Sequence, residues 1–79
     1  MADELFRLLR IFRETLDDEE IRFEVDSLDP IEGWDSLAHV QLMLAVEEEF
    51  GVTLTTEEMA DMTSIPAILG VLRRKETAA

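Results

Sequence analysis

Asp35, Ser36 and His39 are the side chains of this sequence best placed to take part in covalent chemistry. Ser36 offers a hydroxyl, and Asp35 sets a carboxylate beside it. His39 follows at i+3, a spacing that makes neighbours on one helix face. Two chemistries suit such a set. In a hydrolase Ser36 would be the nucleophile and His39 its base. In a modified protein Ser36 would accept a phosphoester at the start of a helix. Free backbone N–H groups and the positive end of the helix dipole favour phosphate there. The hydrolase also needs an oxyanion hole and a pocket, and the Gly-x-Ser-x-Gly elbow is absent. A helical wheel turns His39 toward the core side, as expected of a structural histidine. The sequence therefore points to Ser36 as an attachment site, with Asp35 as helix N-cap.

Other chemistry is poorly supported. With no cysteine, the chain has no disulfide framework, thiolate metal site or thiol nucleophile of its own. Asp17-Asp18-Glu19-Glu20 is a dense acidic run, but Asp26 to Gly33 lacks the acid spacing of an EF-hand. No specific metal site is expected. The N-terminal Met1-Ala2-Asp3-Glu4 does not look like a secretory signal. The longest apolar run, Leu42 to Val46, is far too short to span a bilayer. A cytoplasmic protein without membrane insertion is the expectation.

The elements that must position Ser36 follow from hydrophobic period. Leu5, Leu8, Leu9, Phe12 and Leu16 form a helical stripe, with Asp3 and Glu4 at its N-terminus. Asp17 to Trp34 breaks that period. Ile21, Phe23 and Val25 alternate as in a strand, but no second strand candidate exists to pair with them. The segment reads as a long loop that tucks its apolar side chains onto the core, punctuated by turns at Asp29-Pro30 and Gly33. A second helix runs from Ser36 to Phe50, stopped by Gly51. A short helix over Thr56 to Met62 can be capped by Thr55 or Thr56. Ser64 can cap a fourth helix, with Pro66 in its first turn and a stripe of Ile65, Ile68, Leu69 and Leu72. Arg73, Arg74 and Lys75 suit its C-terminal end. The predicted fold is all-α: a single domain over residues 1–79, a small four-helix bundle of three main helices and one short one. Met43, Met59 and Met62 are expected as core filler, with an adaptable acyl cavity as the other use of methionine.

The second helix carries two apolar stripes. Leu42, Met43, Val46 and Phe50 make a core face. Leu37, Val40 and Leu44 gather on another side, flanked by Glu47 and Glu48, with Ser36 at its edge. Burying that second stripe as well would draw both glutamates inward unpaired, which is costly. An exposed ridge is therefore expected, with apolar anchors and charged steering groups suited to a partner. The net charge is −12, and no Lys or Arg occurs between Phe23 and Leu72. Such a surface repels nucleic acid and attracts basic partners.

The stretch Gly33-Trp34-Asp35-Ser36-Leu37 through Ala45-Val46-Glu47-Glu48-Glu49-Phe50-Gly51-Val52, with the helix order and the long first loop, resembles the acyl carrier protein family. The resemblance covers nearly the whole chain. It implies that Ser36 of the Asp-Ser-Leu motif carries 4′-phosphopantetheine, donated by coenzyme A through a Mg²⁺-dependent phosphopantetheinyl transferase, with Asp35 in transferase recognition. It further implies that Leu37, Val40, Leu44, Glu47 and Glu48 meet basic docking surfaces of acyl-activating, condensing or transferase enzymes. The protein would act as a monomeric carrier and not as an enzyme. Fatty-acid carriers usually have acids soon after the serine, where this chain has Ala38, His39 and Gln41. With the Gly-Trp lead-in, that implies a dedicated or secondary-metabolic pathway. The alternative is a cofactor-free acidic adaptor that binds partners through the second helix alone.

Overall fold

Four helices follow one another in a computed structural model that describes residues 2–24, 26–28 and 31–78. They are α1 (Ala2–Thr15), α2 (Ser36–Phe50), α3 (Thr56–Asp61) and α4 (Ile65–Ala78). No strand occurs among the described residues. As expected of the first loop, its apolar side chains Ile21 and Phe23 are buried on the helices. Val25 and the expected Asp29-Pro30 turn lie outside the described residues.

The core is built from one face of each long helix. Leu8, Ile11 and Phe12 of α1 meet Leu42, Met43 and Val46 of α2 and Ile65, Ile68, Leu69 and Leu72 of α4. Each such side chain contributes about 1.5–3 kcal/mol on burial, set against the entropy of ordering the chain. Phe12 is the hub of the aromatic packing. Phe23 meets it edge-on at 5.2 Å between ring centroids and Trp34 at 4.9 Å. Thus both the middle and the end of the first loop are pinned to α1. Arg13 adds a polar tie, its Nε donating to the Ile21 carbonyl at 3.0 Å.

Ion pairs fasten the helices from outside. Glu49 of α2 accepts from Arg7 Nε at 2.8 Å and Arg10 Nη2 at 2.9 Å, both on α1. Arg7 also donates to the Glu49 carbonyl and covers the Phe50 ring at 4.5 Å. The Arg7 hydrogen bond, with help from Arg10, holds the Glu49 carboxyl below the usual carboxylate range. On the other side Lys75 of α4 pairs with Glu58 of α3 at 2.8 Å. That contact first, then the Thr55 backbone N–H, holds Glu58 low as well.

The sequence-based boundaries need small corrections. α3 ends at Asp61, one residue early, because Met62 leaves helical geometry as the C-cap and turns fully inward. Leu16 lies past the end of α1 and still packs on the core from the turn. Phe50 is half-buried, since α2 is leaving the core where it meets Arg7. Met43 and Met62 are fully buried and Met59 half-buried. Gly51 stops α2 as expected, in the left-handed region at φ 64°.

Candidate functional site

The site is organised by the way α2 begins. Asp35 is extended, at φ −100° and ψ −172°, and its Oδ1 accepts the Ala38 N–H at 2.8 Å. Its carbonyl accepts the His39 N–H at 2.8 Å. One residue thus serves the helix start twice, and Ser36 follows as the first helical residue. Ser36 is exposed, and among the described residues no hydrogen bond engages its hydroxyl. The backbone fold leaves this side chain free of structural work.

His39 is tied down instead. The Trp34 indole Nε1 donates to His39 Nδ1 at 3.0 Å, and His39 Nε2 lies 2.7 Å from the Met59 carbonyl. An indole N–H only donates, so Nδ1 must be the acceptor. The proton of the neutral ring then sits on Nε2 and is donated to Met59. Both ring nitrogens are engaged away from Ser36, so His39 has no lone pair left to act as its base. The two rings are inclined by only 21°. This pair joins the first loop, α2 and α3 around the serine. An open groove of about 600 Å³ runs beside it, lined by Ile31, Trp34, Asp35, Ser36, His39 and Thr63.

The two stripes of α2 separate as the wheel implies. Ala38, Leu42, Met43 and Val46 are buried. Leu37 is 70% exposed, and Val40 and Leu44 are each 55% exposed. The two glutamates part company. Glu48 is exposed, whereas Glu47 is half-buried, and its Oε2 accepts the Leu54 N–H at 2.8 Å. Its carbonyl also receives the N–H groups of Gly51 and Val52. Glu47 therefore orders the α2–α3 connection, a role the sequence reading did not give it. The chain must reverse there, and the backbone donor of Leu54 needs an acceptor.

Sequence reasoning also missed the work of Trp34 and the presence of Ile31 and Thr63 at the site. Trp34 stood only in the lead-in to the helix. The available signal was that the chain holds one Trp and one His, five residues apart. Thr63 gave no signal, because the α3–α4 connection reaches the groove only through tertiary packing. The described residues hold no cluster of three or more His, Cys, Asp or Glu side chains able to bind a metal ion. No described helix is long and apolar enough to cross a membrane.

An exposed, unengaged serine hydroxyl at a capped helix start, beside an open groove, suits covalent attachment of a phosphate-linked group. Comparison with known proteins agrees with that class. The family described as "Phosphopantetheine attachment site" matches residues 7–72, from α1 into α4. An acyl carrier protein of Petrotoga mobilis is 34% identical over 76 residues, 92% of this chain and 88% of the relative. An acyl carrier protein of Buchnera aphidicola is 40% identical over 40 residues, about half of each chain. A mitochondrial acyl carrier protein of Dictyostelium discoideum is 41% identical over 46 residues, 58% of this chain and 38% of the relative. No solved structure matches. The chain belongs to the phosphopantetheine attachment family and, with it, to the acyl carrier proteins. Such proteins are carriers rather than enzymes, and their cofactor is a covalent 4′-phosphopantetheine.

Proposed function

We propose that this chain works as one carrier domain whose 4′-phosphopantetheine is joined to Ser36. The observation that carries the assignment is the free Ser36 hydroxyl, exposed at a helix start that Asp35 already caps. In the attachment step Ser36 Oγ forms a bond to the phosphorus that bears the pantetheine of coenzyme A. The P–O bond within the pyrophosphate breaks, and adenosine 3′,5′-bisphosphate leaves. The serine proton passes to a base outside this chain, in keeping with the engagement of His39 elsewhere. When bound, the group supplies the thiol that this cysteine-free chain lacks, on which an acyl group is held as a thioester.

The remaining roles belong to α2. Asp35 fixes the direction in which Ser36 points and stands beside it for the transferase. Leu37, Val40 and Leu44 form the apolar ridge that phosphopantetheinyl transferase and acyl-activating, condensing or transferase enzymes contact. Glu48 steers their basic surfaces toward it. Glu47 contributes negative charge while it holds the Leu54 backbone, so it acts at the edge of that surface. The carrier acts as a monomer in the cytoplasm.

We assign it to a dedicated or secondary-metabolic pathway rather than bulk fatty acid synthesis. The support lies just after the serine. Ala38 is buried and His39 is bound to Trp34, so neither place presents an acid to a partner. The test is intact-mass measurement after incubation with coenzyme A, Mg²⁺ and a broad-specificity transferase. One phosphopantetheine is expected, absent in Ser36→Ala. No addition, or an addition that survives the substitution, rejects the assignment.

A further inference from the structure

We propose that His39 and Trp34 are positioning residues for the modification of Ser36, and that they act only while His39 is neutral. This rests on Ser36 being the attachment residue. Ser36 lies between the two, two residues after Trp34 and three before His39. The 3.0 Å bond from the indole N–H to Nδ1 closes the chain into a short ring around the serine. The 2.7 Å bond from Nε2 to the Met59 carbonyl fixes that ring to α3. Trp34 in turn stands edge-on to Phe12 of α1, at 4.9 Å. The start of α2 is thereby held from three sides before any partner arrives, and a transferase meets Ser36 already oriented.

The direction of the hydrogen bonds makes the brace sensitive to charge. A protonated imidazole donates from both nitrogens. Its Nδ1–H would then face the indole N–H, donor against donor, and that bond is lost. The Met59 bond survives, because Nε2 already donates. The groups that share the groove with His39 are Ile31, Trp34, Asp35, Ser36 and Thr63, so Asp35 is the titratable one among them. Its Oδ1 is committed to the Ala38 N–H. From α3 the facing group is the neutral Met59 carbonyl. Glu58, next to Met59 in sequence, is turned to Thr55 and Lys75. His39 Nδ1 is the one acceptor that the indole N–H meets among the described residues.

The experiment compares transferase kcat/KM on the unaltered chain and on His39→Gln, from about pH 8 to pH 5, the interval in which imidazoles change charge. Glutamine keeps one acceptor and one donor at every pH. With one transferase throughout, the ratio cancels the enzyme's own titrations. The ratio should stay level while the imidazole is neutral and fall about five-fold once it is protonated, the factor one net hydrogen bond is worth. A second measurement needs no variant. The chain has one tryptophan and one histidine, so both side chains give unambiguous ¹H–¹⁵N signals. The indole N–H should shift in step with the imidazole titration. A level ratio, or an indole signal that ignores the imidazole, overturns the inference while leaving the Ser36 assignment standing. Failure of the unaltered chain to gain phosphopantetheine at any pH removes both.

Discussion

Both α2 and α4 begin beside a serine, and the two helix starts are built differently. At α4 Ser64 precedes the helix, and its Oγ accepts the Ala67 N–H at 3.2 Å. That hydroxyl is half-buried and closes one of the donors every helix start leaves open. At α2 the same task falls to Asp35, one residue earlier relative to the serine. Ser36 is displaced into the first helical position, where the cap has no use for it. The lesson is that a reactive hydroxyl at a helix start is made available by giving its structural job to a neighbour. Glu47 and Glu48 repeat the pattern at the other end of α2. Glu47 holds backbone and Glu48 does not.

The sharpest test of the comparison exchanges the serines' fates. Ser36→Ala is expected to abolish phosphopantetheine addition completely by mass while leaving the melting temperature unchanged. Ser64→Ala is expected to do the reverse, with normal addition and a loss of about 1 kcal/mol of stability. In a chain of this size that lowers Tm by about 4–8 °C. If Ser36→Ala destabilises as much as Ser64→Ala, the division of labour between Asp35 and Ser36 is wrong.

Charge reversal on α2 should act next most strongly. Changing Glu47 and Glu48 together to Lys is expected to cut the association rate with a basic partner by about ten-fold at low salt, and by less as salt screens it. Stopped-flow rates at two ionic strengths check this, and an unchanged rate removes the acidic steering surface. The single neutral variants separate the two residues. Glu47→Gln should cost about 1 kcal/mol in urea unfolding through its weakened bond to Leu54, and Glu48→Gln nothing measurable.

The pH dependence should be the gentlest effect. Glu49 and Glu58 both have carboxyls held below their ordinary range by cations on neighbouring helices. A group whose pKa is lower in the folded state stabilises the fold above its unfolded value. That contribution fades as the pH falls through the folded value. Tm should therefore decline as the solution is acidified below about pH 4.5, where free carboxylates begin to protonate. The decline should be shallower in Glu49→Gln and in Glu58→Gln. An equal slope in all three proteins would mean that the two ion pairs do not contribute.

Much of this arrangement was legible in the chain because it is local. The periods of Leu8 and Phe12, of Leu42, Met43 and Val46, and of Ile65 to Leu72 mark three helix faces without knowledge of any contact. Asp35, Thr55 and Ser64 announce helix starts by side chains that reach only three residues ahead. The exposed ridge of Leu37, Val40 and Leu44 also follows from one helix, since burying it would draw the acids beside it inward unpaired. The structural role of Glu47 was not legible for the opposite reason. Its partner, Leu54, lies beyond a chain reversal whose path the sequence does not state.

Sequence by itself thus determined an acidic four-helix chain with a single serine poised in a carrier motif, because capping and periodicity are short-range and additive. Only the tertiary structure decided which groups that serine stands among. Trp34 and His39 flank the serine in sequence, whereas the Met59 carbonyl and Thr63 come from a later stretch of the chain, and only packing brings the two stretches together. The direction of each hydrogen bond, and with it the tautomer of the neutral His39 ring, depends on what lies opposite each ring nitrogen. That is fixed by the way α1, α2 and α3 settle around Phe12 and Trp34.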